Sequence, residues 1–378
     1  AEEIPKLIIE NNIHGIDLDD RAVQLAQLGL YIKARKKCRS IGSLKFDVVS
    51  SDFFLPDYEE TRHIFEEGTN FDQNQKELIA NIWSDLQYAY KFGSLLQIDE
   101  KVKDKLRTLE AEQSGGGNQQ KLFTDKQLGI IPKQVQLKLF TAKDIKQQKE
   151  FIKSFFTNLK IAIERYARAE GNKFLASKTR DAITFLELLT TEYDVATANP
   201  PYTNSSDFGP ELKTFIENNY KKPYKFHTNL YATFIKRCYG LAADDGKIAM
   251  IHPRTFMFIK TFEEVRKFIL DKTHINVFVD YSLSNLFGAI MVDPAFYVLE
   301  KNTKRNKDAW FVSLDQYTRT PNEKYKKDYC LQALDDYIAG VENEHNYSIP
   351  QSKLKIIKSW PFIYWISDEF REKFGADS

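Results

Sequence analysis

The sequence predicts an α/β fold in which a doubly wound sheet is interrupted by a mostly helical insertion. Three observations carry this. Short apolar runs alternate with helical periodicity over 1–59 and again over 193–304; the stretch between them shows only the three-and-four spacing of helices; and Asn199-Pro200-Pro201-Tyr202 directly follows one of the apolar runs.

Near the N-terminus, Ile13-His14-Gly15-Ile16-Asp17-Leu18 is a short apolar run that meets an acid. Asp19 or Asp20 can cap a following helix, in which Ala22, Leu25, Ala26, Gly29 and Ile32 recur at helical spacing. Leu44 to Val49 is a second strand, and Ser50-Ser51-Asp52-Phe53 is the turn at its end. Two strands joined by a helix of this length indicate a parallel pair.

From 60 to 192 the pattern is helix upon helix, with Leu78-Ile79-Ile82-Leu86 and Ile152-Phe155-Phe156-Leu159-Ile163 as apolar faces. Ser114-Gly115-Gly116-Gly117-Asn118-Gln119-Gln120 lies between them. No apolar strand precedes these glycines, so they form a linker rather than a phosphate cradle.

The alternation resumes with the strand Asp194–Ala198 running into Asn199. A helix over 229–243, an Asp245-Gly246 turn, a strand over 247–252 and a helix over 262–271 follow, then strands at 275–279 and 295–299. Beyond 305 the chain is polar and rich in Tyr and Lys, until the aromatic cluster Trp360-Pro361-Phe362-Ile363-Tyr364-Trp365 and a short final helix.

Composition narrows the function classes. With 42% apolar, 13% aromatic and 28% charged residues, the chain has ordinary globular composition. No run approaches the roughly 18 apolar residues of a membrane span, and residues 1–10 lack a signal peptide's layout. Cys38, Cys238 and Cys330 lie far apart, which suggests neither a disulfide framework nor a metal site; the cytoplasm is the expected address. The net charge of +1 hides an asymmetry: residues 119–180 hold 14 Lys/Arg against 5 Asp/Glu. That block is either a stripe for phosphates or a solvated lysine-rich helical face.

Asn199-Pro200-Pro201-Tyr202 carries the chemistry. Two prolines continue neither a ladder nor a helix interior, so the backbone is stiff and extended where the strand ends. The Asn199 carboxamide oxygen and the Pro200 carbonyl are thereby fixed at the carboxyl edge of a sheet, where open α/β folds bind ligands. Two such acceptors can take both hydrogens of a ring-conjugated amine and localise its lone pair toward a methyl donor, and alignment then supplies much of the catalysis. Tyr202 offers a face on which a base taken out of a duplex can stack.

The run resembles motif IV of the amino-methyltransferases, in the order found in N6-adenine enzymes whose cofactor motifs come first. That resemblance implies a Rossmann-like class I methyltransferase sheet and S-adenosyl-L-methionine as cofactor. It assigns Asp17 to the donor's ribose hydroxyls, Asp52 to the donor's adenine amine and Phe53 to its ring, with Leu18 also among the cofactor-binding residues. Asp245 to Ile251 resembles the following core strand, and Phe287 the aromatic that packs on the target base. Phe92-Gly93-Ser94-Leu95-Leu96 and Phe362-Ile363-Tyr364-Trp365-Ile366-Ser367 are similar to segments of the BREX phage-exclusion (PglX-like) adenine methyltransferases and of related fused restriction–modification enzymes.

The resemblance implies a site-specific adenine methyltransferase acting on double-stranded DNA in a restriction–modification or phage-defence system, with other defence-system proteins as further partners and no membrane or metal. Residues 1–59 and 193–304 would form the catalytic core, 60–192 the insertion, and 305–378 the start of a linker or target-recognition region. A glycine-rich motif of the Asp-Pro-Ala-Cys-Gly-Ser-Gly kind, which should end the strand before that of Asp17, has no counterpart in the 378 residues. The expectation is therefore a piece of a longer protein, inactive alone, with the Asp17 strand at a sheet edge. Methylation of RNA or of protein glutamine, or a non-catalytic DNA-docking or assembly role, are the alternatives.

Overall fold

The computed structural model describes residues 3–53, 55, 57–59, 62, 73–104, 154, 157–158, 161 and 173–375, apart from 283, 288–289, 303–306 and 318–321. The linker at 114–120, most of the basic block and most of the helix expected over 152–163 fall outside the described residues. The chain divides into two units, Ala1–Thr191 and Glu192–Ser378.

The first unit opens with α1 (Ile4–Asn11), β1 (His14–Asp17), α2 (Asp20–Lys37) and β2 (Asp47–Ser50). β1 and β2 are parallel, in register from His14↔Asp47 to Asp17↔Ser50, and β1 pairs with β2 alone among the described residues. Asp19 caps α2 by accepting the Arg21 N–H at 2.9 Å.

The packed face of α2 differs from the expected one. Val23 and Ala34 are buried, and Ala34 and Cys38 form a small core with Ile9 and Ile41, against which Leu30 and Tyr31 pack. Leu25, Leu28 and Ile32 are exposed. The helix carries two apolar stripes, and its periodicity does not record which one faces the strands. Farther along, α3 (Gln73–Leu86) buries Leu78, Ile79, Ile82, Trp83 and Leu86. α4 (Lys173–Thr190) packs on β1 and β2 and buries Phe185, Leu186 and Leu189.

In the second unit, β3 (Tyr193–Ala198), β4 (Ala242–Pro253), β5 (His274–Asp280), β8 (Pro294–Glu300), β9 (Ala309–Ser313) and β10 (Asn346–Ile349) form one mixed sheet in the order β10-β9-β5-β8-β4-β3. β3 runs parallel to β4, and β5 parallel to β9; β8 lies antiparallel between β4 and β5. The carboxyl ends of β3, β4, β5 and β9 therefore share one edge. A separate hairpin, β6 (Ser284–Phe287) with β7 (Ile290–Val292), leaves that edge between β5 and β8.

The helices of this unit are α5 (Pro210–Tyr220), α6 (Leu230–Leu241), α7 (Glu263–Lys272), α8 (Lys326–Ala339) and α9 (Asp368–Gly375). The polar stretch beyond 305 supplies two strands of the sheet, β9 and β10. The terminal aromatic cluster joins the core: Phe362 and Tyr364 are buried, Phe362 packing edge-on to Phe278 at 5.9 Å and Tyr364 stacking on Phe311 at 4.5 Å.

Asp245-Gly246 is folded into β4 rather than preceding it. Tyr193 pairs with Ala242, but Val195 pairs with Lys247, so the residues between bulge out of the ladder. Asp245 turns the corner at φ 63°. A Cβ on Gly246 would stand 2.8 Å from the Ala243 carbonyl oxygen and 3.0 Å from that of Tyr193, both backbone atoms with no room to yield. Gly246→Ala should therefore destabilise the fold by about 1–3 kcal/mol, as overpacking does. Urea unfolding measures it, and a midpoint equal to that of the parent would show that the bulge accommodates a methyl group.

Candidate active site

In the first unit the strand ends bring the two acidic positions together. The Asp17 carbonyl accepts the Ser51 N–H at 2.9 Å, which ties the end of β1 to the turn bearing Asp52. One Asp17 carboxylate oxygen accepts the Asp19 N–H at 2.8 Å. The Asp52 N–H is held by Ser50 Oγ at 3.0 Å. Asp17, Leu18 and Asp52 are all exposed. Phe53 is 3% exposed, with its ring edge-on to Phe185 at 5.4 Å, so it anchors this turn to α4.

The same place holds a residue whose role spacing did not reveal. Gly93 sits at φ 50°, and a Cβ there would meet Leu18 Cδ2 at 3.1 Å and Ser51 Oγ at 3.4 Å. The Phe92–Leu96 segment thus lies against the ends of β1 and β2, and only glycine fits both the left-handed backbone and the gap.

In the second unit β3 ends at Ala198, paired with Met250 of β4. Asn199 is exposed and Pro200 buried; Tyr202 is half-buried, with its hydroxyl 3.5 Å from the Ile251 carbonyl, to which it donates, and burial raises its phenol pKa. Asn229 fixes the loop that follows. Its Nδ2 donates to Asn204 Oδ1 at 2.8 Å, while its own Oδ1 caps α6 by accepting the Tyr231 N–H at 3.1 Å. The Leu230 N–H donates to the Thr203 carbonyl at 3.0 Å. Phe287 lies on β6; its side chain is outside the described residues. The acids of 17 and 52 and the Asn199–Tyr202 run belong to different units.

Beneath the Asn199 edge, Tyr231 stacks on His252 at 4.4 Å. His252 Nδ1 faces the Pro253 carbonyl at 3.1 Å and Nε2 faces the Tyr297 hydroxyl at 2.9 Å. A carbonyl only accepts, so Nδ1 carries the proton and Nε2 accepts from Tyr297. Burial pushes the ring pKa down to about 4, which keeps it neutral near pH 7.

The shared edge is bound by one guanidinium. Arg254, the residue after β4, reaches Asp280 Oδ2 at 3.1 Å, donates to Ser282 Oγ at 2.9 Å and to Asp315 Oδ1 at 2.8 Å, and stands 3.9 Å from Asp293. Its backbone N–H donates to the Asp293 carbonyl at 2.7 Å. Tyr364 donates to Asp280 Oδ2 at 3.1 Å. An acid directly after the apolar run at 275–279 was the available sequence signal, the same signal that marked Asp17. Among the described residues no group of three or more His, Cys, Asp or Glu could hold a metal ion, and no helix is long and apolar enough to cross a membrane.

The profile of the Eco57I restriction-modification methylase family matches residues 11–287. The chain is similar to the adenine-specific methyltransferase BrxX of Escherichia coli O9:H4 (strain HS), at 24% identity over 387 residues, covering 99% of this chain and 28% of that protein. It is also similar to the adenine-specific methyltransferase PglX of Lacticaseibacillus casei (strain Zhang), at 20% identity over 376 residues, covering 97% and 26%. Among solved structures, a type I restriction-modification methyltransferase subunit from Streptococcus thermophilus matches at 13% identity and TM-score 0.34, over 50% of this chain and 46% of that one. The chain thus spans about a quarter of the length of the curated relatives it matches.

The edge cluster has a pH signature. Burial raises the Asp280 carboxyl to about 6, and Arg254 opposes this only in part. An unfolded Asp titrates near about 3.9, so in between the folded state holds the proton more tightly. The stability this group supplies is fully present below about pH 4 and lost as the pH rises through about 6. Asp280→Asn, which fixes a neutral side chain, should flatten that part of the decline in melting temperature between pH 4 and 7. An identical slope in the variant would show that Asp280 does not titrate in this range.

Proposed function

This chain belongs to the Eco57I restriction-modification methylase family, and we propose that it carries the site for methyl transfer from S-adenosyl-L-methionine to adenine N6 in DNA, within a restriction–modification or phage-defence system. The observation that carries the reading is Asn199-Pro200-Pro201-Tyr202 at the carboxyl end of β3, beside the parallel neighbour β4 and followed by a loop that Asn229 holds at Asn204.

The donor supplies an electrophilic methyl group. The exposed carboxylates of Asp17 and Asp52, on strand ends tied together through Ser51, suit a ribose diol and an exocyclic amine, and exposed Leu18 offers apolar contact beside them. Phe53 acts from beneath, by holding the turn that bears Asp52. Asn199 Oδ1 and the Pro200 carbonyl accept the two hydrogens of the adenine amine, so its lone pair points out of the ring's conjugation. Tyr202 and Phe287 are the faces between which the base stacks. As a proposal for organisation, 1–59 with 193–304 form the catalytic core, 60–192 an insertion, and 305–378 lead toward target recognition.

In the complete gene product, Asn199→Ala should lower adenine methylation by about 100- to 1,000-fold, the usual consequence of losing one preorganised hydrogen-bonding group. Donor affinity should stay within a few-fold. Transfer of labelled methyl groups to DNA measures the rate, and near-parental turnover would remove Asn199 from the mechanism.

Residues 1–378 contain no glycine-rich turn of the motif I kind to surround the methionine end of the donor. A ligand held at one end loses contacts yet still bears the entropy cost of immobilisation. Residues 1–378 by themselves should therefore show very weak donor binding by calorimetry and no measurable methylation. Robust methyl transfer by these residues would overturn this.

A further inference from the structure

The turn between α5 and α6 is built unlike an ordinary surface loop. Residues 218–243 contain Lys221, Lys222, Lys225, Lys236 and Arg237 and not one Asp or Glu. Lys221, Lys222 and Lys225 are exposed. The aromatic residues interleaved with them point the other way. Phe226 is 1% exposed and packs edge-on to Phe268 of α7 at 4.9 Å, and Tyr224 packs on the same ring at 5.2 Å. The Lys225 N–H closes the turn onto the Lys221 carbonyl at 2.9 Å, and Thr233 Oγ1 donates to the Phe226 carbonyl at 3.1 Å. The lysines are therefore presented by a fixed backbone whose apolar side is anchored in the core.

Two features weigh against a merely solvating role. Lys221 follows the last turn of α5, where a cation is favoured by the helix dipole whatever else it does. Lys222 and Lys225 have no such account. Lys225 moreover adopts the left-handed backbone, φ 55° and ψ 41°, where glycine or asparagine would be cheaper. The placement is the stronger point. Through Asn229–Asn204 at 2.8 Å and Leu230–Thr203 at 3.0 Å, the end of this turn is pinned to the residues directly after Tyr202. The basic turn is thus hydrogen-bonded to the loop that follows the Asn199–Tyr202 run.

We infer that Lys221, Lys222 and Lys225 form a contact surface for the phosphates of duplex DNA, flanking the base held at Asn199–Tyr202. The inference rests on the proposed adenine-methylating role for its location, but not for its chemistry. A base taken out of the stack stays covalently joined to its backbone, so phosphates must pass close to the pocket that receives it. Lysines on a fixed turn meet them without ordering a loop on binding, and phosphate contacts of this kind set register without reading sequence.

The experiment is fluorescence anisotropy of residues 1–378 with labelled duplexes of two unrelated sequences, over a range of salt concentrations. The variants are Lys221→Glu/Lys222→Glu/Lys225→Glu, the milder Lys→Gln triple, and two comparison triples. One reverses Lys33, Lys36 and Lys37 on α2; the other reverses Lys146, Lys149 and Lys153 of the basic block. Each lost phosphate contact should reduce the slope of log affinity against log salt by about 0.9. The turn triple should thus lose affinity equally for both duplexes and shallow the slope by up to about 2.7, with the glutamine triple showing the same change in slope, a smaller loss of affinity, and an unfolding midpoint like the parent's. The α2 triple should leave both quantities unchanged. The surface is refuted if the turn variants keep the parental affinity and slope, if only the 146–153 triple changes them, if the loss depends on sequence, or if the parent does not bind duplex DNA. Failure of adenine methylation in the complete gene product, with these salt slopes intact, would refute the proposed reaction and leave the surface standing.

Discussion

Arg254 is the residue on which the carboxyl edge of the second unit's sheet depends. Its guanidinium joins Asp280 at the end of β5, Ser282 and Asp293 on either side of the β6–β7 hairpin, and Asp315 in the connection after β9. A charge 14% exposed is tolerable only where its donors are used, and here carboxylates and a hydroxyl use them. Breaking such a pair from one side leaves the other charge uncompensated, at a cost of roughly 3–5 kcal/mol. Buried Lys326, donating to the Tyr281 carbonyl at 3.0 Å, brings α8 to the same place. Arg254 thus ties together the edge ends of β4, β5, β8 and β9, and the stiff Asn199–Tyr202 run follows β3 at the same edge.

The Asn199–Tyr202 run itself is positioned by different means. Two prolines fix its backbone locally, but where the loop goes next is decided by Asn229, which divides its amide between capping α6 and holding Asn204. Nearby, buried Tyr231 stacks on His252 and Tyr297 meets the same ring edge-on; His252 is kept neutral by burial and its proton is fixed on Nδ1. This layer has no titratable freedom near neutral pH. The first unit solves its own problem with steric economy. Ser51 ties the ends of β1 and β2, and Gly93 lets a third segment approach Leu18 where any side chain would obstruct it.

Strands with one dominant apolar character were legible from sequence. β3, β5 and β8 fall within a residue or two of their expected limits, because continuous apolar runs bounded by polar residues admit few other states. The helix expected over 229–243 is observed as α6, and α2 was legible from its acidic cap. β9 and β10 were not. β9 is itself an apolar run, Ala309-Trp310-Phe311-Val312, hidden in a stretch that reads as polar overall; its Trp310 is buried and stacked on Tyr337 of α8 at 3.7 Å, while Tyr347 of β10 packs against Tyr364 at 5.3 Å. Amphipathic rings of this kind pack as core while scoring as polar surface.

The sequence by itself determined the parallel strand–helix pattern, the position of Asn199-Pro200-Pro201-Tyr202 at a strand end, and the acids at 17 and 52 after theirs, since proline stereochemistry and apolar periodicity act within a few residues. Tertiary structure alone decided which stripe of α2 is buried, that Phe53 anchors a turn from below, that Asp245-Gly246 is a bulge inside β4, and that Arg254 gathers residues up to 61 positions away. The difference is one of range. A helical period or a proline constrains its neighbours directly, whereas a buried charge is satisfied by whatever the fold brings to it, and no spacing along the chain encodes partners chosen in three dimensions.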